Sequence, residues 1–179
     1  MKIFLCGLPN VGKTTYGHAI AKKLGWAFVD LDRLLETLYL TTTGKKKSCR
    51  EIYLDEGADA FRAWEHKALT QPQEKSDTII ALGGGALENE ENRRIIRQIG
   101  QLIYLRCSSE FAFARIKQQI PAYLDKDRPY DSFIELAACR QKTYSAACDY
   151  AIDVEQLDLD AIMARIIHYV ERNKDHVKQ

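Results

Sequence analysis

The run Gly7-Leu8-Pro9-Asn10-Val11-Gly12-Lys13-Thr14-Thr15 constrains this chain more than any other stretch. It satisfies the phosphate-loop pattern G-x-x-x-x-G-K-[ST], and its flanks suit that reading. Lys2-Ile3-Phe4-Leu5-Cys6 is a short apolar run bounded by glycine, which predicts a buried strand. After the loop, Ala19, Ile20 and Leu24 recur at near-helical spacing, with Lys22 and Lys23 near the end and Gly25 just beyond. Gly7 and Gly12 let successive N–H groups turn inward toward phosphate oxygens, and the helix N-terminus adds partial positive charge. Lys13 supplies a point charge for β- and γ-phosphates, and the Thr14 hydroxyl suits a Mg²⁺ ligand. Thr15 closes the motif and is assigned to nucleotide binding with it. A chance glycine turn would match the four fixed positions somewhere in such a chain with a probability of about 1%. Nucleotide binding is therefore the expectation.

The rest of the composition narrows the class. At 179 residues the chain suits one domain with a full core. A net charge of +1 gives no basic footprint, which argues against nucleic acid as a main partner. Five cysteines, an odd number without a C-x-x-C pair, predict reduced thiols and a cytoplasmic location. The N-terminal apolar run leads straight into the phosphate loop, which is not the form of a signal peptide, and no apolar stretch approaches a membrane span.

Further along, Trp26-Ala27-Phe28-Val29-Asp30 reads as a second strand, running into Leu31-Asp32. If the chain turns after Asp30, both carboxylates can face the cleft where ligands bind in open α/β folds; equally, Asp32 can simply cap the helix beginning Arg33-Leu34-Leu35-Glu36. Residues 41–49 are polar and predict a surface loop, whose lysines suit a solvated face. Residues 50–69 follow a helical pattern broken near Gly57, and within it Arg62 and Glu65 are three apart on one face. By spacing alone that is an ordinary surface ion pair worth well under ~1 kcal/mol. Thr78-Ile79-Ile80-Ala81-Leu82 predicts a buried strand leading into Gly83-Gly84-Gly85, either a flexible turn or a close approach of backbone to ligand. A fourth strand is expected over 102–107, then a helix capped by Ser109. Pro121 to Ser132 has no helical period, and Pro129 forces Arg128 out of helical geometry, as suits a mobile lid. A helix from Phe133 to Ala147 puts Arg140 and Tyr144 on one face. A fifth strand over 150–154, a last amphipathic helix and a frayed tail from Asn173 complete the chain. Alternating strands and helices predict a parallel sheet covered on both faces.

Taken in order, GLPNVGKTT, DLD, FRAWE, GGGA, RP and RQKTY resemble the shikimate kinases from residue 2 to about 154. The resemblance implies a nucleoside-monophosphate-kinase fold, three layers with five parallel strands in the order 2-3-1-4-5. It also implies transfer of the γ-phosphoryl of ATP to the 3-hydroxyl of shikimate, in aromatic-amino-acid biosynthesis. Under it, residues 1–179 form a single kinase domain, with a substrate-binding region near 32–70 and a lid near 118–132. Asp30 would hold Mg²⁺ with Thr14, and Asp32 would bind the shikimate hydroxyls and accept the proton. Arg62, oriented by Glu65, and Arg140 would grip the substrate carboxylate, and Gly83, Gly84 and Gly85 would contact shikimate through their backbone. Arg128 would reach the transferred phosphoryl from the lid, Arg115 would lie against adenine, and a monomer is expected. The chain departs from the family pattern at Tyr130-Asp131, Gly57-Ala58 and the serine after Tyr144. It is also longer in the 44–52 loop and between Arg115 and Arg128. Two alternatives stand beside this reading: another small-molecule kinase of the same fold, such as a gluconate kinase, and a non-catalytic nucleotide-binding regulatory module.

Overall fold

The computed structural model describes residues 1–71, 77–118 and 120–174. Five parallel strands form one sheet in the order β2-β3-β1-β4-β5, with β1 at Lys2–Cys6, β2 at Ala27–Asp30, β3 at Thr78–Ala81, β4 at Gln101–Arg106 and β5 at Tyr150–Asp153. All four residues of β3 are buried, as are the last four of β1. Successive strand side chains point to opposite faces, so burial of every one means that both faces are covered. The covering helices among the described residues are α1 (Lys13–Leu24), α2 (Leu31–Thr43), α3 (Cys49–Leu69), α4 (Glu90–Ile99), α5 (Ser109–Ile116), α6 (Pro129–Ala147) and α7 (Leu159–Lys174). A 3₁₀ turn, Ala86–Glu88, lies between β3 and α4.

Register decides where the site forms. Leu5 of β1 and Asp30 of β2 both pair with Ala81 of β3, so these three neighbouring strands end in one row. The phosphate loop, the Asp30-Leu31-Asp32 turn and the glycine triplet therefore leave the same edge of the sheet side by side. That edge is the carboxyl end, where open α/β sheets bind ligands.

Several element boundaries differ from those expected from sequence. The helix after β2 begins at Leu31, and Asp30, not Asp32, caps it, accepting from the Asp32 and Arg33 N–H groups at 3.1 and 3.4 Å. That helix continues through Thr43, so the expected 41–49 loop shrinks to 44–48. Gly44 ends α2 with φ 73°, and Ser48 begins α3 through a reciprocal cap with Glu51. The break at Gly57 is present, with φ 85° and ψ 174° inside α3. Helix α6 starts at Pro129, four residues before the expected Phe133, because proline at the first helical position sacrifices no hydrogen bond. Arg128 is non-helical, at φ −131° and ψ 58°. Asn173 and Lys174 belong to α7, and the rest of the expected tail lies outside the described residues, as does Gln119 of the expected lid.

Candidate active site

The phosphate loop requires its glycines. Gly7 has φ 151° and Gly12 has φ 106°, and a Cβ on either would lie 2.7 Å from the Leu105 carbonyl or 2.5 Å from the Tyr16 ring. Lys13, largely buried, curls back across the loop and donates from Nζ to the Gly7 and Leu8 carbonyls, each at 2.9 Å. Burial pushes its pKa below the ordinary lysine value, with Asp32 acting against the shift. One residue on, the Thr14 hydroxyl donates to Asp30 Oδ2 at 2.7 Å. A hydroxyl and a carboxylate oxygen thus meet beside the lysine.

A cleft of about 520 Å³ opens from this loop, a size typical of small-molecule sites. Asp32 faces it. The carboxyl is open to water yet ringed by protein, and that surrounding, with Asp30 beside it, raises its pKa above the usual value. The glycine triplet closes the cleft's far side, and each of its members faces a different side chain. A Cβ at Gly83 would sit 2.6 Å from Glu65 Oε1 and 2.7 Å from Asp32 Oδ1, and one at Gly85 would sit 2.1 Å from Arg62 Nη2. At Gly84 it would lie 3.3 Å from Arg140 Nη1. The triplet is thus a fitted wall: the Tyr144 hydroxyl donates to the Gly84 carbonyl, and the Asn92 amide donates to the Ala86 carbonyl at 2.9 Å.

Arg62 and Arg140, 78 positions apart in the chain, line this one cleft together. The Arg62–Glu65 pair, 2.8 Å apart, is no ordinary surface pair, because the Glu65 side chain is only 1% exposed. Burial drives the Glu65 pKa up to about 7, with Arg62 acting against the shift. Arg140 is itself only 4% exposed. Arg115 stays at the rim, over the Phe111 ring and within 3.3 Å of the Asn10 carbonyl of the phosphate loop. Arg128 is exposed and does not line the cleft; its backbone N–H donates to Asp125 Oδ1.

Between α5 and α6 the chain crosses the cleft mouth. Pro121, Ala122 and Tyr123 line the cleft, and Arg50 of α3 donates to the Ile120 carbonyl at 2.6 Å. The Tyr123 ring meets Tyr53 edge-on at 6.2 Å and lies 5.0 Å from the Arg140 guanidinium.

The shikimate kinase family model matches residues 9–171. The chain belongs to the shikimate kinase family. It is 32% identical over 168 residues to the shikimate kinase of Alkaliphilus oremlandii, covering 92% of this chain and 96% of that one. The shikimate kinase of Acinetobacter baumannii, solved in complex with shikimate, superposes with a TM-score of 0.84 at 27% identity, covering 97% and 94% of the two chains. A gluconokinase of Sinorhizobium meliloti reaches a TM-score of 0.56 at 15% identity over 99% and 95%, a likeness of fold alone.

Some residues of this family member's cleft escaped the sequence reading. Cys49 and Tyr123 line it, and Glu88 bridges its two arginines. Cys49 donates from Sγ to the Asp32 carbonyl at 3.4 Å. Neither Cys49 nor Tyr123 carries a periodic or motif signal. The only hint of Glu88 is its place three residues after the glycine triplet. All five cysteines are free thiols. No helix among the described residues is long and apolar enough to cross a membrane.

Proposed function

We propose that this chain is an ATP-dependent kinase that transfers the γ-phosphoryl group to the 3-hydroxyl of shikimate, giving shikimate 3-phosphate and ADP. The observation that carries this reading is the convergence, on one cleft, of a phosphate loop, a carboxylate and two arginines. Two guanidinia read a carboxylate, Asp32 and the glycine wall suit hydroxyls, and the loop holds the nucleotide. A gluconate kinase shares the fold, but at a sequence identity that carries no argument about substrate.

Roles follow from the side chains in place. On nucleotide binding, Lys13 exchanges the Gly7 and Leu8 carbonyls for phosphate oxygens. Thr14 and Asp30 form a hard-oxygen pair fit for Mg²⁺, which keeps several waters and needs few protein ligands. Accordingly, the absence of any cluster of three or more acidic, histidine or cysteine ligands among the described residues is no obstacle. Held there, magnesium would supply positive charge to offset that of the nucleotide's phosphates. Asp32 is the proton acceptor: the Asp30 carboxylate already accepts from Thr14 and from two N–H groups of α2, whereas Asp32 faces the cleft with its pKa raised by its surroundings. The substrate oxygen bonds to the γ-phosphorus, its proton passes to Asp32, and the bond to the ADP oxygen breaks. Arg62 and Arg140 fix the substrate carboxylate, and thereby its 3-hydroxyl, for that attack. Arg128 lies just beyond the segment over the cleft mouth; its role at the transferred phosphoryl requires that segment to move inward. Arg115 flanks the phosphate loop on the nucleotide side. A monomer in the cytoplasm accords with this reading, as does a reaction that needs no second subunit.

A coupled assay of ADP release, run with and without shikimate and with gluconate in its place, tests the proposal. ADP release that depends on shikimate is expected. Release only with gluconate would overturn the substrate, and no release with either would favour a non-catalytic module.

A further inference from the structure

One carboxylate outside the expected machinery touches both arginines of the cleft. Glu88 Oε1 accepts from Arg140 Nε at 2.7 Å, and Glu88 Oε2 accepts from Arg62 Nη2 at 2.9 Å. The two arginines belong to α6 and α3, and the 3₁₀ turn carrying Glu88 packs against both helices. Glu88 itself does not line the cleft, whereas Arg62 and Arg140 do. Its carboxylate therefore grips the guanidinia from the rim and not from the substrate side.

The donors are divided accordingly. Arg140 gives Glu88 its Nε, so that this bond takes neither terminal nitrogen, and Arg62 divides its terminal nitrogens between Glu65 and Glu88. Charge points the same way. Two guanidinia facing one small cleft repel, and a buried cation without an anion is costly. Glu65 answers Arg62, but Arg140 is almost wholly buried and its ion pair is with Glu88. Glu88 is also fixed in place. Its N–H donates to the Gly85 carbonyl at 2.9 Å, and its own carbonyl accepts from Arg93 at 3.0 Å. The carboxylate thus extends from a backbone tied to the glycine wall.

We infer that Glu88 is a positioning residue of the reaction, a rim carboxylate that sets the spacing and attitude of Arg62 and Arg140 so that their free N–H groups meet the substrate carboxylate. This rests on the proposed carboxylate-gripping role of the two arginines. The sign of the change in the shikimate KM separates this role from competition, in which a carboxylate bridging both guanidinia would hold them from the substrate.

The test is steady-state kinetics of Glu88→Ala and Glu88→Gln, varying shikimate and ATP separately, with thermal melts alongside. The KM for shikimate is expected to rise about tenfold in Glu88→Ala, the scale of one charge-assisted contact. The rise should be smaller in Glu88→Gln, which keeps an acceptor. The effect should fall on KM for shikimate and not on kcat or KM for ATP. In an Arg140→Ala background, adding Glu88→Ala should cost less than it does alone, because one of the two guanidinia it spaces is gone. A fall in KM for shikimate, an unchanged KM, or equal rises for both substrates would each overturn the inference. Arg62→Ala and Arg140→Ala separate the two levels of the argument. If neither raises the shikimate KM, the arginine reading fails along with this one; if they do and the Glu88 variants do not, only the role of Glu88 fails.

Discussion

Alanine substitution along Gly83-Gly84-Gly85 converts the fitted wall into three separate measurements. None of these glycines has a φ in the left-handed region, so an added methyl acts by contact and not by backbone strain. At Gly85 the new Cβ would lie 2.1 Å from Arg62 Nη2 and 2.3 Å from Cζ and Nη1. Ordinary contact demands roughly 3.5–4 Å, so the guanidinium must retreat by more than about 1 Å. Its bonds to Glu65 and Glu88, at 2.8 and 2.9 Å, then pass out of hydrogen-bonding range. Arginine is flexible, so the fold should survive, but the group proposed to read the substrate carboxylate is displaced. Losing one charge-assisted contact costs about 1.5–3 kcal/mol, or roughly 10- to 100-fold in the KM for shikimate. At Gly84 the nearest atom, Arg140 Nη1, is 3.3 Å away and need yield only a few tenths of an ångström. Gly84→Ala should therefore change KM by well under about tenfold. At Gly83 the methyl meets Glu65 and Asp32, whose short stems yield less, so kcat should fall as Asp32 is pushed from its place. Steady-state kinetics with each substrate varied, beside thermal melts, reads all three. Identical behaviour of the three variants, or a Gly85→Ala defect as large for ATP as for shikimate, would refute the assignment of different side chains to each glycine.

Lys13→Ala should abolish turnover with the circular dichroism spectrum and melting temperature nearly unchanged, because its ammonium bonds only two loop carbonyls; near-normal activity would sink the phosphate-loop assignment. Asp32→Asn should keep nucleotide affinity and lower kcat by roughly 10²–10⁴-fold, the usual worth of a general base. Asp30→Asn should instead weaken the Mg²⁺ dependence, and since asparagine still caps a helix the fold is not at issue. The reverse pattern would exchange the two roles. Glu65 gives a pH dependence to the stability of the unliganded protein. Its carboxyl is raised from 4.5 to about 7, so the folded state holds the proton more tightly than the unfolded state does. Stability is then greatest below the unfolded value and declines as pH rises toward about 7, by on the order of 3 kcal/mol. Urea denaturation at about pH 5 and about pH 8 should show Glu65→Gln losing much of that slope, and an unaltered slope would refute the shift.

Sequence by itself determined a good deal of this protein. The phosphate loop was legible because its chemistry needs fixed residue types at fixed local spacing: two glycines with positive φ, then Lys13 and Thr14 at a helix start. The central strands β1, β3 and β4 were legible because parallel strands buried on both faces read as nearly unbroken apolar runs, and the alternation of strands with helices indicated the class. The order 2-3-1-4-5 and the roles of Arg62 and Arg140 came from resemblance, because nothing local in either arginine distinguishes it from a solvated helix residue. What only the tertiary structure decided were relations between distant segments. Asp30 caps α2 because the backbone turns into the helix two residues earlier than a cap at Asp32 would place it. Glu65 is buried and not superficial because α3 lies against the glycine turn, a contact that no three-residue spacing can reveal. Glu88 joins α3 to α6 because three separate elements bring two guanidinia and one carboxylate within hydrogen-bonding distance. Such charges are balanced in space and not along the chain, so periodicity carries no trace of them.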